Sequence, residues 1–131
     1  MSLLLALINY ITDLGICVGD GIDCYRDFMP EDPDSVIVFH EYSGDPLNPF
    51  TDSVHRSVQV KIRDKSSESA RTKAVALCSA FCSSGEDRRI DFTDNLWGQV
   101  YVRQSPFKLS QDESGRVAYC FNLGVTTNIL E

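Results

Sequence analysis

The run from Arg116 to Val125, RVAYCFNLGV, alternates without interruption. Val117, Tyr119, Phe121, Leu123 and Val125 take one side of an extended chain, and Arg116, Ala118, Cys120, Asn122 and Gly124 take the other. A strand sends successive side chains to opposite faces, whereas a helix returns to one face about every 3.6 residues. An apolar period of two therefore commits this segment to a sheet with one buried face. The rest of the chain has to supply neighbours for that strand and apolar cover for its inner side.

Neighbours are present. In VHRSVQVKIRD, residues 54–64, Val54, Val58, Val60 and Ile62 oppose His55, Ser57, Gln59, Lys61 and Arg63, the pattern of a half-buried strand with one wet or interfacial face. QVYVRQ, residues 99–104, is a further strand that Pro106 is expected to break. A short strand is expected between residues 86 and 98, anchored by Ile90, Phe92 and Trp97. Ile22 to Phe28 predicts the first strand. VIVFHEY, Val36 to Tyr42, predicts the next, and its unbroken apolar start, Val36 to Phe39, predicts burial on both faces and a central position. Between these two, Met29, Pro30, Pro33 and Asp34 make a structural turn. The prolines fix their own φ and push Met29 and Asp32 toward extended geometry. Asp34 and Ser35 can accept from backbone amides there.

Cover comes from two helices. Leu4, Leu7, Ile8, Ile11 and Leu14 recur at steps of three and four, predicting a helix over about residues 3–14 with Ser2 as cap and Gly15 as stop. Ser66 or Ser67 caps a second helix whose stripe is Ala70, Ala74, Leu77, Cys78 and Phe81, ending by Gly85. The order of elements gives an α+β fold: a single mixed or mostly antiparallel sheet with two helices packed on one face. At 131 residues the chain is one domain, residues 1–131.

Composition removes several classes of function. Twelve basic against nineteen acidic residues leave a net charge of -7, and the only adjacent basic pair, Arg88-Arg89, is flanked by Glu86, Asp87 and Asp91. Such a surface offers no stripe for sequence-specific nucleic-acid binding. No run is long enough to span a bilayer, and the apolar N-terminus lacks the basic start of a signal peptide. Five cysteines without a CxxC fit free buried thiols in a reducing compartment. Cys78 and Cys82 stand one helical turn apart, but two histidines in the chain are a thin supply of further metal ligands.

No constellation carries catalysis. His40 sits beside Glu41 in the central strand and His55 near Asp52 at a strand start, where acidic neighbours are commonly incidental. No nucleophile elbow, dinucleotide loop or calcium loop is present. Catalytic, cofactor and metal residues are expected to be absent, and an enzyme using either histidine is the least favoured reading. The loop SGDPLNPFTDS, residues 43–53, carries Leu47 and Phe50 with no periodic partner, which suits a contact offered to another subunit. Asp45 and Asp52 in that loop, with Arg56, Lys61 and Arg63 in the strand after it, are the charged candidates for such a contact.

The Met-Pro-x-x-Pro-Asp turn of Met29, Pro30, Pro33 and Asp34, the strand ending near Tyr42 and Gly44, VQVKIR at 58–63, the alanine-bearing helix at 67–83, Pro106, Gly115-Arg116 and YCFNLGV together resemble the small minor capsid or tail-terminator proteins of tailed bacteriophages. The likeness in element order spans nearly the whole chain. It implies a non-enzymatic virion component, made in a bacterial host's cytoplasm, that closes the head-proximal end of the tail as a homo-oligomeric ring. Six subunits are the expected number, monomeric before assembly in some cases, with the tail tube and head-neck proteins as partners and no cofactor. A small oligomeric α+β binding or regulatory domain is the alternative for the same fold.

Overall fold

A computed structural model describes residues 2–44, 53–82 and 88–129. Asp45, Leu47, Phe50 and Asp52 lie outside the described residues, as does the expected helix stop at Gly85. The elements are α1 (Leu3–Asp13), β1 (Cys24–Arg26), β2 (Val36–Gly44), β3 (Val54–Asp64), α2 (Ser67–Phe81), β4 (Arg88–Asp91), β5 (Trp97–Gln111) and β6 (Val117–Thr127). They build one sheet in the order β1-β2-β3-β6-β5-β4. β1 runs parallel to β2 and every other pair is antiparallel. The expected α+β class holds, with a mixed sheet.

The central pair of the sheet is β3 and β6, and β2, expected at the centre from its unbroken apolar start, instead lies second from the edge beside the three-residue β1. β6 pairs with β3 without a register shift, from Val54↔Thr127 to Asp64↔Val117. That register brings Val60 opposite Phe121 and Val58 opposite Leu123, all fully buried. Phe39 joins them through Val60. Against this face pack Leu3, Leu7, Ile8 and Ile11 of α1 and Ala74, Leu77 and Phe81 of α2, so both helices cover the same side. Ala70 and Ala74 present no bulk, which lets the second helix sit close to the strands. Ser2 and Ser66 cap the two helices, their hydroxyls accepting from the Leu5 and Ser69 amides. The helices meet where Tyr10 stacks obliquely on Phe81 and donates to the Ala80 carbonyl at 3.2 Å.

Two predicted boundaries need correction. The first strand is only Cys24–Arg26. Ile22 is held in a turn by the Gly19 carbonyl, and Asp27, at φ 56, leaves the extended region. Pro106 does not end its strand: β5 continues to Gln111. β4 accompanies β5 only as far as Val100, so beyond that residue the outer edge has no partner among the described residues and the missing proline N–H breaks no ladder there. On the inner edge the pairing steps from Gln104↔Asn122 to Phe107↔Cys120, a bulge that absorbs the extra residue.

Val36, Ile37, Val38 and Phe39 are all buried, as their unbroken apolar run predicts. Ile37 and Phe39 face the helices. On the other face, the turn around Pro30 and Pro33 is drawn across the end of the sheet. The Arg63 guanidinium holds it there, donating to the carbonyls of Glu31 (3.1 Å), Pro33 (2.7 Å) and Asp34 (3.2 Å). Arg116 donates to the Glu31 carbonyl at 2.6 Å. The stiff acidic stretch thus acts as a lid on the second face of the central strands.

Candidate functional site

Beyond that lid, the helix-free face of the sheet is polar. Alternation along β3 and β6 places His55, Ser57, Gln59 and Lys61 beside Asn122, Gly124 and Thr126. β5 adds Tyr101, in register with Gly124. The Tyr101 ring lies flat over this glycine, where a Cβ would come within 2.3 Å of the ring. The glycine marks a close approach and not a special backbone conformation, and an added methyl would have to displace the outer end of the partly exposed Tyr101 ring.

Tyr101 anchors a cluster. Its ring stacks on His55 with centroids 5.6 Å apart and planes 18° from parallel. The Tyr101 hydroxyl lies 2.8 Å from His55 Nε2, and the Arg103 guanidinium faces the same nitrogen. With these donors in front of it, Nε2 accepts and the ring proton resides on Nδ1, which donates to Thr126 Oγ1 at 3.1 Å. Arg103 also donates to Ser57 Oγ at 2.8 Å. Both ring nitrogens of His55 are engaged by side chains of β6 and β5, and Ser57 is 2% exposed. The arrangement makes a rigid patch carrying a cation and an aromatic ring.

His40 lies one strand away, on the same face. Its Nδ1 is 3.8 Å from Asp27 and its Nε2 is buried with no partner. Burial, then the nearby Lys61, lower its pKa from the ordinary histidine range, and Asp27 opposes them. Asn122 donates to Gln104 Oε1 at 2.8 Å, while its own Oδ1 is buried and unpaired.

The candidates named from the sequence separate on this scaffold. Arg56 is on the helix side, bound to the Glu41 carboxylate and donating to the Ile129 carbonyl at 2.9 Å. Arg63 is 6% exposed and committed to the proline turn. Lys61 stands on the helix-free face, half-buried. Met29, Pro30, Pro33 and Asp34 form the turn that Arg63 holds. The His55–Tyr101–Arg103 cluster escaped the sequence reading because its members are far apart in the chain. Gly124 inside a perfect alternation was the available signal, since a strand glycine marks close approach of another group.

The two ends of the sheet differ in charge. Residues 13–27, leading into and through β1, carry four acidic residues and one basic, and the turn that follows adds Glu31, Asp32 and Asp34. Residues 88–111, spanning β4 and β5, carry four basic and two acidic. Exposed apolar side chains gather on the acidic side: Leu14, Ile16, Val18, Ile22 and Phe28. Tyr101 and Leu109 are exposed on β5.

Residues 10–129 match a family described as bacteriophage tail terminator protein. No curated protein matches the chain. Among the described residues, no helix is long and apolar enough to cross a membrane.

Proposed function

The chain belongs to the bacteriophage tail terminator family, and from that premise we propose that it closes the head-proximal end of a phage tail as a homo-oligomeric ring, six subunits round, and presents that ring to the head-neck proteins. It works as a structural part of the virion without catalysis. The observation that carries this reading is the opposite charge of the two sheet ends. A closed ring is built from heterologous contacts, in which two different patches of each subunit meet. An acidic, apolar-studded end and a basic end with an open strand edge are such a pair. Among the described residues, the outer edge of β5 from Gln104 to Gln111 pairs with no other strand, so its main chain can pair across the joint. The loop holding Asp45, Leu47, Phe50 and Asp52 adds a second contact, with Lys61 on the neighbouring open face as a charged counterpart.

Charge reversal tests it. Asp13, Asp32, Arg89 and Lys108 are all exposed. Asp13→Lys with Asp32→Lys, and separately Arg89→Glu with Lys108→Glu, are expected to abolish rings and leave tails unterminated in electron micrographs. The four changes together restore complementarity and recover termination. If each reversed pair terminates tails normally, the edge contact is wrong. Leu47→Asp with Phe50→Asp tests the loop in the same assay, and normal tails would exclude that contact.

A further inference from the structure

Cys17 follows α1 and Cys24 opens β1, and the fold brings both into the apolar core beside Asp23. One ligating atom from each of Cys17, Asp23 and Cys24 lies within 4.8 Å of the other two, the one such trio of potential metal ligands found among the described residues. We propose that Cys17, Asp23 and Cys24 form a binding site for one divalent metal ion of the zinc class, with water in the fourth position.

Geometry carries most of the case. Zinc holds thiolate sulfur at about 2.3 Å and carboxylate oxygen at about 2.0–2.2 Å in a tetrahedron. Bonds of that length set ligand atoms roughly 3.3–3.8 Å apart in a tetrahedron, so three atoms already within 4.8 Å of one another need only a small contraction. Asp23 is held in place by its backbone partners: its carboxylate accepts from the Val18 amide at 3.0 Å and the Gly19 amide at 3.1 Å. Outer contacts of this kind orient a ligand and leave lone pairs for the ion. Thr12 Oγ1 lies 3.2 Å from Cys17 Sγ while donating to the Ile8 carbonyl at 2.8 Å, which makes the hydroxyl an acceptor for the Cys17 thiol. Asp23 and Ile16 also line an open cleft of about 340 Å³, which gives an ion and its water a way in.

Charge balance agrees: a divalent ion offsets the two thiolates that would bind it. On binding, each thiol gives up its proton to solvent and two metal–sulfur bonds form, with no change of oxidation state. Two sulfurs with one carboxylate oxygen suit zinc better than cuprous copper, which favours an all-sulfur set. The bound ion would tie the loop after α1 to the edge strand β1. The inference does not depend on ring formation.

The test uses the full, reduced chain titrated with Co²⁺ and then Zn²⁺. The expected result is uptake of one equivalent of cobalt with release of two protons, a thiolate-to-cobalt band in the near ultraviolet and the intense visible bands of tetrahedral cobalt, followed by displacement by zinc with no further proton release. Cys17→Ser with Cys24→Ser removes the bands. Asp23→Asn weakens binding about tenfold or more, and Cys78→Ser with Cys82→Ser leaves it unchanged. Because Cys24 is buried and its variant can unfold, the wild-type titration and Asp23→Asn decide the matter. Absence of uptake by the folded, reduced wild type overturns the proposal, as does an unaltered cobalt affinity in Asp23→Asn.

Discussion

Gly124 shows how much a single position can carry. It interrupts no alternation and has an ordinary strand conformation, yet the Tyr101 ring occupies the space a side chain would need. Adding a methyl forces the ring away from His55 and loosens Arg103, whose Nε is 3.3 Å from the Tyr101 hydroxyl. Tyr101 is 40% exposed and can swing toward solvent, so the cost is mainly that of the lost ring stacking, about 0.5–1.5 kcal/mol. Gly124→Ala is therefore expected to lower the urea midpoint with the slope unchanged. Tyr101→Ala in the same chain removes the clash, so the double variant should be more stable than the sum of the single losses predicts. Strict additivity in equilibrium unfolding would show that ring and glycine do not press on each other. The alternation of this strand was open to a reader of the sequence. Its glycine's purpose was not, because the ring arrives from another strand.

At the scale of elements, Asp64 is the joint between the sheet, α2 and the proline turn. It is 5% exposed and accepts from Ser35 Oγ (2.7 Å), the Lys65 amide (2.7 Å) and Lys73 Nζ (2.8 Å). Its neighbour Arg63 grips the same turn from the opposite face, so consecutive residues of β3 fix it from both sides. Burial opposes ionisation of Asp64, but the bonds from Lys73, Ser35 and the Lys65 amide outweigh it and hold its carboxyl below the usual range. A folded pKa below the unfolded one means that the unfolded chain binds more protons in that window, so stability rises with pH there. The contribution is whole above the unfolded value of about 3.9 and is lost as pH falls through the folded value. Asp64→Asn should lower stability near neutrality and flatten the acid limb of the stability curve below about pH 4. Urea titrations at stepped pH would read this, and an acid limb identical to wild type would remove Asp64 from the account. Element types were legible here because each had a clean local signal: period two in β3 and β6, a serine cap before each helix. The reach of β5 was not. Pro106 is a strong local breaker, and only the pairing pattern shows that its outer edge is open and that a bulge absorbs the kink.

For the whole molecule, the sequence yielded the sheet and its two helices but not the strand order. Pairing of β6 with both β3 and β5 is a long-range outcome, and the charge asymmetry exists only once β1 and β4 stand at opposite ends. Net charge of -7 hides that asymmetry. It also sets the last prediction. If charge steers the subunits together, association must weaken as salt rises. The screening length falls from about 10 Å at 0.1 M to about 3 Å at 1 M ionic strength. A contact made mainly by Ile16, Val18, Ile22 and Phe28 behaves otherwise, because apolar burial does not depend on the field between ions. Light scattering of the chain mixed with tail tubes should therefore show ring assembly slowing steeply over that range. Asp13→Lys with Asp32→Lys should assemble poorly at low salt and lose most of the salt dependence. An assembly rate indifferent to salt in the wild type would assign the joint to its apolar residues and remove the charged ends from the mechanism.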